Sequence, residues 1–406
     1  MISPIHNWVA ERTALNNNLC PETLRSFQLE KLKELLIYAC NNSPFYKKKR
    51  ITSTVLSQLP FTYPSELAND PLAFLAVSQS KVARITTLAN SGTTRLKKRI
   101  FFTKSDLKRT KDFFAAGMST FSLPGDHVQI LISNKTENSL GSLLKESLSK
   151  IGVNSEITGV VKTVGKAIKS VYNADILVGM PAELLYMCRT VPELNLKSVL
   201  LAGDYAPQAV IDSIKKTWKC DVFTHYGHTE FGFGCAVDCK HHNGLHLRHP
   251  DLLFEIIDPI TNNPASPGEV GEIVITTLSN EAMPLIRYRT GNLSCILNKP
   301  CDCGCSLPRL GKIKGRIENN IFIDGGKSIN ITQLDEIVFK YPNLRGYNAL
   351  LKHEKKGYTL HLTIDSKGKI DERFLLMNLP VGLKLELEYR CADPFIQREK
   401  RRIRME

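Results

Sequence analysis

"KSVLLAGDYAPQAVIDSIKKTWKCDVFTHYGHTE", residues 197–230, reads as strand, helix, strand. A short apolar run stops at Gly203 and Asp204. A helical stretch, "PQAVIDSIKKTW", follows, and a second apolar run then ends at Gly227. The same texture extends upstream through "HVQILIS" (127–133), the helical "SLLKESLSKIG" (142–152) and "ADILVG" (174–179). Strands that alternate with helices predict a mainly parallel sheet. Ligands bind beyond the carboxyl ends of the strands in such sheets. "LAGD" and "THYGHTE" sit at those ends, so topology alone makes them candidate site segments.

Further out the pattern changes. Residues 22–42 and 104–121 carry apolar positions at helical spacing. From 252 onward the chain is β-rich, in "LLFEIID", "GEIVITT" and "LSCIL". After Gly315 comes a smaller segment with its own strands, one helix and a basic tail, so a boundary is expected near Gly315–Asn319. With 406 residues the chain suits two or three domains, and 42% apolar against 23% charged residues allows buried cores. No apolar run is long enough to span a membrane, and the first residues lack the pattern of a secretory signal. A cytoplasmic protein is expected.

Net charge is +14, spread over residues 47–50, 95–99, 215–219 and 398–404 rather than gathered in one arm. That distribution favours phosphate-bearing small molecules over nucleic acid. Of the 11 cysteines, Cys235 and Cys239 form one tight group and Cys301, Cys303 and Cys305 another. A reducing compartment keeps thiols free, so such grouping points to metal chemistry.

Four segments carry chemistry. "LANSGTTRLKKR" (88–99) joins a glycine and three hydroxyls to four cations, a composition that lets backbone N–H groups and hydroxyls approach a phosphate, although such a cluster alone is an ordinary turn. In "HYGHTEFGFG" (225–234) Thr229 can donate to a phosphate and Glu230 can hold Mg²⁺. "GEVGEIVITTLSNEAMPLIRYRTGN" (268–292) is a strand pair ending in an Arg-Tyr-Arg-Thr-Gly-Asn corner. The fourth is "LGKIKGRIENN" (310–320).

In this order and at these separations, the segments resemble the adenylate-forming superfamily, and within it the phenylacetate–coenzyme A ligase family. That family's phosphate loop matches Asn90 to Thr94, its Y-G-x-T-E is Tyr226 to Glu230, and its E-x-x-P-L-I-R-Y-R-T-x-D is Glu281 to Asn292. "CDCGCSLPR" (301–309), Gly315 to Asn319 and "LLIYACNNSPFYKK" match as well, so the resemblance covers nearly the whole chain. It implies an α/β adenylate-forming fold. A large AMP-binding domain of mixed and parallel sheets with helices (1–314) would precede a small, mobile α+β domain (315–406).

The resemblance also implies roles. Ser91, Gly92, Thr93 and Thr94 would wrap the ATP phosphates. Gly203 and Asp204 would flank adenine, and Tyr226, followed by Gly227, would stack on it. Thr229 would contact the α-phosphate and Glu230 would bind Mg²⁺. Asn292 and Arg316 would take the ribose, Glu318 would be the hinge, and Lys400 is the candidate lysine bridging carboxylate and phosphate. A shift of one residue would put Glu399 there. The chain departs from the pattern at Arg95, Lys97 and Asn292, where the family has Gly, Pro and Asp. An amide lacks the charge that makes a ribose clamp strong.

Cys239, His246, Cys301 and Cys303 form a donor set suited to tetrahedral, structural Zn²⁺, a reading that zinc in some family members supports. Cys235, Cys305, His241 and His242 are competing ligands. The function implied is ATP-dependent adenylation of an aryl or short acyl acid followed by transfer to coenzyme A. The alternatives are transfer to an amine, a carrier protein or water, and a non-catalytic nucleotide- or acyl-binding protein on a degenerate ligase scaffold. The expected partner is a small carboxylic acid. A carrier protein and a homodimer stay open, and neither nucleic acid nor membrane is expected.

Overall fold

The structure is a computed structural model that describes residues 2–88, 98–159, 163–323, 327–354, 357–380, 382–390 and 401–406. Ser91 to Thr94, Arg95, Lys97 and Lys400 lie outside the described residues. The chain forms two compact units, one of residues 1–123, 142–151 and 225–313, the other of 124–141, 152–224 and 314–406.

The first unit opens with helices. Pro21–Asn42 matches the expected 22–42, with Pro21 at a first helical position, where its missing N–H costs nothing. Lys104–Met118 begins at a capping box in which Thr103 Oγ1 accepts from the Asp106 N–H (3.1 Å) and Asp106 accepts from the Thr103 N–H (2.9 Å). It ends before the expected 121, because Ser119 caps it and Thr120 and Phe121 turn away on bonds to Gly117 and Met118. Strands Arg84–Leu88 and Lys98–Phe102 pair antiparallel with Leu88 opposite Lys98.

The part from 252 onward is β-rich, as expected. Leu252–Ile257, Gly271–Thr277 and Tyr288–Ser294 form an antiparallel meander. Short strands Ala236–Val237, Leu245–Leu247, Arg309–Leu310 and Ile296–Leu297 form a second antiparallel row. The core of this unit gathers Leu32, Leu36, Phe74, Phe102, Phe231, Ile275 and Tyr288.

The second unit contains the parallel sheet. Strands Asn154–Ile157, His127–Ile130, Ile176–Gly179 and Ser198–Leu201 run in that order, followed by residues 221–224. Ile176–Gly179 and Ser198–Leu201 are buried at every position, which is why they read as continuous apolar runs. Helices Pro181–Thr190 and Gln208–Trp218 alternate with them.

Residues 314–406 add an α+β segment to this unit. Its hairpin, Leu344–Glu354 with Gly357–Ser366, is flanked in parallel by Arg404–Met405 and Lys384–Tyr389. Helices Ile331–Val338 and Glu372–Asn378 accompany it, where the sequence suggested one. One core joins Leu184, Val210 and Ile214 to Leu334, Phe339 and Leu344. Arg189 strengthens the join by donating to the carbonyls of Phe339 (2.9 Å) and Leu344.

Candidate active site and metal centre

The strand Asp221–Tyr226 ends in Tyr226, and the chain then turns sharply within the first unit. Gly227 is obligatory there, since a Cβ would stand 2.1 Å from the Phe233 carbonyl oxygen. A 3₁₀ turn, Thr229–Phe231, closes at Gly232, whose φ of +82° is the left-handed region. The Asn292 amide donates to the Tyr226 hydroxyl at 3.0 Å, with both residues buried. Two residues assigned separately to adenine and ribose are thereby neighbours.

Glu230 is 1% exposed and accepts from three groups. Lys98 Nζ lies 2.8 Å and the Tyr288 hydroxyl 3.2 Å from Oε1, and His228 Nδ1 lies 2.6 Å from Oε2. An ionised carboxylate only accepts, so His228 carries its proton on Nδ1. Burial alone would lift the Glu230 carboxyl, but His228 and Lys98 outweigh it and hold it well below the usual range. Mg²⁺ asks for near-octahedral oxygen ligands and keeps several waters. As arranged, Glu230 offers its oxygens to an ammonium, a phenol and an imidazole, which does not fit that ion.

Lys98 and Tyr288 were not singled out from the sequence. Lys98 stands in the cationic loop segment and Tyr288 in the Arg-Tyr-Arg corner, so both signals were present without a partner to give them meaning. The arginines of that corner are structural. Arg287 forks onto Glu255 (2.9 and 3.0 Å) and lies over the Phe61 ring, while Arg289 bonds Glu272 at 2.7 Å.

In the second unit "LAGD" leaves the strand Ser198–Leu201 with Gly203 at φ +90°. Asp204 accepts from the N–H groups of Tyr205 (2.8 Å) and Arg401 (2.9 Å). Arg401 directs its guanidinium onto Asp335 at 2.8 Å and packs over the Tyr347 ring. Tyr205 donates to Glu336 at 2.6 Å. A small pocket here is lined by Met180, Glu183, Asp204, Phe339 and Arg401, and burial pushes the Glu183 carboxyl up to about 7. Arg316 pairs with Glu318 at 3.0 Å near the surface.

Cys239, His246, Cys301 and Cys303 converge in the first unit, all buried, with their ligand atoms within 4.8 Å of one another. The Cys239 and Cys301 sulfurs are 3.7 Å apart, and Cys303 Sγ is 3.5 Å from His246 Nε2. A zinc–sulfur bond of about 2.3 Å implies tetrahedral edges of about 3.8 Å, so this donor set fits Zn²⁺. Burial, then the charge of Arg309, pushes His246 down to about 4, leaving the neutral imidazole that a metal needs. Burial pushes the Cys239 and Cys303 thiols up, so thiolates here require a cation. Cys305 instead accepts the Cys301 N–H through its carbonyl, and His242 is engaged by Asp238 at 2.8 Å. Arg309 ties the two ligand loops by donating to the carbonyls of Asn243 and Lys299.

This architecture is the adenylate-forming α/β fold. A solved 2-hydroxyisobutyryl-CoA ligase, in the postadenylation state with 2-HIB-AMP, superposes with a TM-score of 0.82 at 18% identity, over 95% of this chain and 90% of its own. The sequence itself resembles the phenylacetate–coenzyme A ligases. That of Aromatoleum evansii is 29% identical over 372 residues, 84% of this chain and 81% of the relative. That of Thermus thermophilus is 27% identical over 349 residues, 80% and 77% respectively. No protein-family model matches the chain.

Proposed function

We propose that the protein activates a small carboxylic acid as its acyl-adenylate with ATP and transfers the acyl group to coenzyme A. The observation that carries this reading is the likeness to phenylacetate–coenzyme A ligases over 84% of the chain. The Asn292–Tyr226 hydrogen bond, which joins two nucleotide residues of the motifs, supports it.

A carboxylate oxygen of the substrate attacks the α-phosphorus and pyrophosphate leaves. The coenzyme A thiolate then attacks the acyl carbonyl and AMP leaves. Tyr226 and Asp204 border the adenine, Asn292 and Arg316 hold the ribose, and Ser91, Gly92, Thr93 and Thr94 wrap the phosphates. Thr229 donates to the α-phosphate, where fixed donors stabilise developing charge. Lys400 bridges carboxylate and phosphate. Its chain neighbour Arg401 is bonded to Asp204 of the adenine segment, which supports that register. Residues 315–406 move about Glu318 between the two half-reactions.

Cys239, His246, Cys301 and Cys303 would hold Zn²⁺, and a metal with four protein donors would have a structural role. Mg²⁺ accompanies the ATP phosphates. The cysteines among the described residues are all free, which suits the cytoplasm. Among the described residues no helix is long and apolar enough to cross a membrane.

Pyrophosphate release across a panel of aryl and short acyl acids, with and without coenzyme A, tests the reading. Acid-dependent release with thioester formation is expected. Release that yields no thioester moves the acceptor to an amine, a carrier protein or water. No release with any acid favours a binding protein on a ligase scaffold.

A further inference from the structure

We infer that Lys98 is the resident cation of Glu230, so that Lys98 and a divalent ion compete for this carboxylate and the nucleotide-free protein has no open metal position there. The inference rests on the proposed function only in taking Glu230 as part of the active site.

A buried carboxylate is costly unless it is paired and hydrogen-bonded. Glu230 meets both conditions within its own unit. The ammonium is 2.8 Å from Oε1, the Tyr288 hydroxyl is 3.2 Å from the same oxygen and 3.4 Å from Lys98 Nζ, and His228 Nδ1 closes the other side at 2.6 Å. Lys98 reaches in from a fixed point, since it begins the strand Lys98–Phe102 and is paired in register with Leu88. Its side chain is 16% exposed, so little water screens the pair.

A divalent ion ligated by Oε1 would stand within a few ångströms of the ammonium. Like charges that close repel by several kcal/mol at an effective dielectric of about 20. One cation therefore excludes the other. Lys98 is thus a positioning residue that fills the place a metal would take at Glu230.

The probe is Mn²⁺, followed by electron paramagnetic resonance of the free ion, on the 406-residue chain purified without chelator and without nucleotide. The wild type is expected to bind no Mn²⁺ below the millimolar range. Lys98→Met should bind one equivalent at least about tenfold more tightly, and Lys98→Gln, closer in polarity, guards against a misfolded Met variant. Lys98→Arg, which keeps the charge, should behave as the wild type. Adding Glu230→Gln to Lys98→Met should abolish the gain. Tight Mn²⁺ binding by the wild type that is lost in Glu230→Gln overturns the inference, whatever the Lys98 variants do. So does a folded Lys98→Met or Lys98→Gln with no gain. These outcomes are read without turnover, so they stand apart from a failure of the ligase reading, which shows as absent pyrophosphate release.

Discussion

The cysteine–histidine cluster and the Glu230 cluster lie in the same unit, are equally buried, and are neutralised in opposite ways. Glu230 has its counter-charge built in, as Lys98. Cys239, His246, Cys301 and Cys303 are donors alone, with burial pushing the Cys239 and Cys303 thiols up. Where the chain supplies the cation, folding completes the site. Where it supplies only ligands, a metal would complete it. The first arrangement is closed by the chain's own charge, and the second, once metal-bound, would be a knot that holds two loops.

The largest expected effect follows from that knot. One zinc per chain is expected by elemental analysis of protein purified without chelator. Cys303→Ser should lower zinc content and destabilise the unit by on the order of 3–5 kcal/mol, less than the free energy of metal binding in isolated zinc peptides, because most of the core lies elsewhere. The ligands must be deprotonated, so metal loss on acidification should loosen residues 239–246 and 301–305 together, as read by hydrogen exchange. Zinc below a tenth of an equivalent, with no thermal shift on adding it, would break the comparison from this side. Unchanged zinc in Cys303→Ser would make Cys305 the ligand.

On the other side, Glu230→Gln leaves Lys98 without its partner, a change that should cost about 2–3 kcal/mol of stability. It should also slow adenylation by roughly a hundredfold, the scale of misplacing neighbouring site residues, because Lys98, His228 and Tyr288 lose the carboxylate that positions them. The carboxyl is held well below its ordinary value. Its contribution is therefore full above the unfolded-state value near 4.5 and is lost as pH falls through the lower folded value. Denaturant midpoints of wild type and variant should converge on acidification. Parallel curves would mean that the Lys98–Glu230 pair stabilises nothing.

A smaller effect of opposite sign belongs to Glu183. Burial alone lifts its carboxyl to about 7. The folded state then binds the proton more tightly than the unfolded one, so folding is favoured at acid pH and loses stability between about 4.5 and 7. Glu183→Gln should remove that decline and raise the melting temperature at pH 8 by about 2 °C. Identical slopes for wild type and variant between pH 5 and 8 would show Glu183 to be solvated.

The comparison also explains what was legible beforehand. The four residues that converge in the cysteine–histidine cluster come from two short stretches, 239–246 and 301–303, with two of them in a C-x-C, so spacing marked them as candidates. The parallel sheet was legible because its strands are buried on both faces and read as unbroken apolar runs. Lys98 was not, since its meaning lies in a residue 132 positions away. The Arg401–Asp204 contact spans 197 positions, and Arg401 looks like one more cation in a basic tail. Likewise, nothing local in "YPNLRG" announces that Leu344 shares a core with Leu184 and Ile214. Local spacing encodes metal sites and strands, whereas charge pairing and docking are set by which faces meet.

The smallest expected effect is at Asn292, and it tests whether a built-in neutral group has replaced a charged one at the ribose. Asn292 donates from its amide to the Tyr226 hydroxyl at 3.0 Å, so in the proposed site its carbonyl oxygen would be the acceptor for a ribose hydroxyl. An aspartate would present two accepting oxygens. The Tyr226 hydroxyl could turn to donate to one of them, and the other would make a charge-assisted bond to the ribose. The position is only 6% exposed, so part of that gain is lost to burying the charge. Asn292→Asp should therefore tighten ATP by about 1 kcal/mol, roughly fivefold in Kd by calorimetry, with a slight loss of stability in the nucleotide-free protein. A weaker Kd would mean that the amide is needed to hold Tyr226 in place. The pocket would then be organised around asparagine, and the case for a nucleotide-binding protein without ligase activity would gain accordingly.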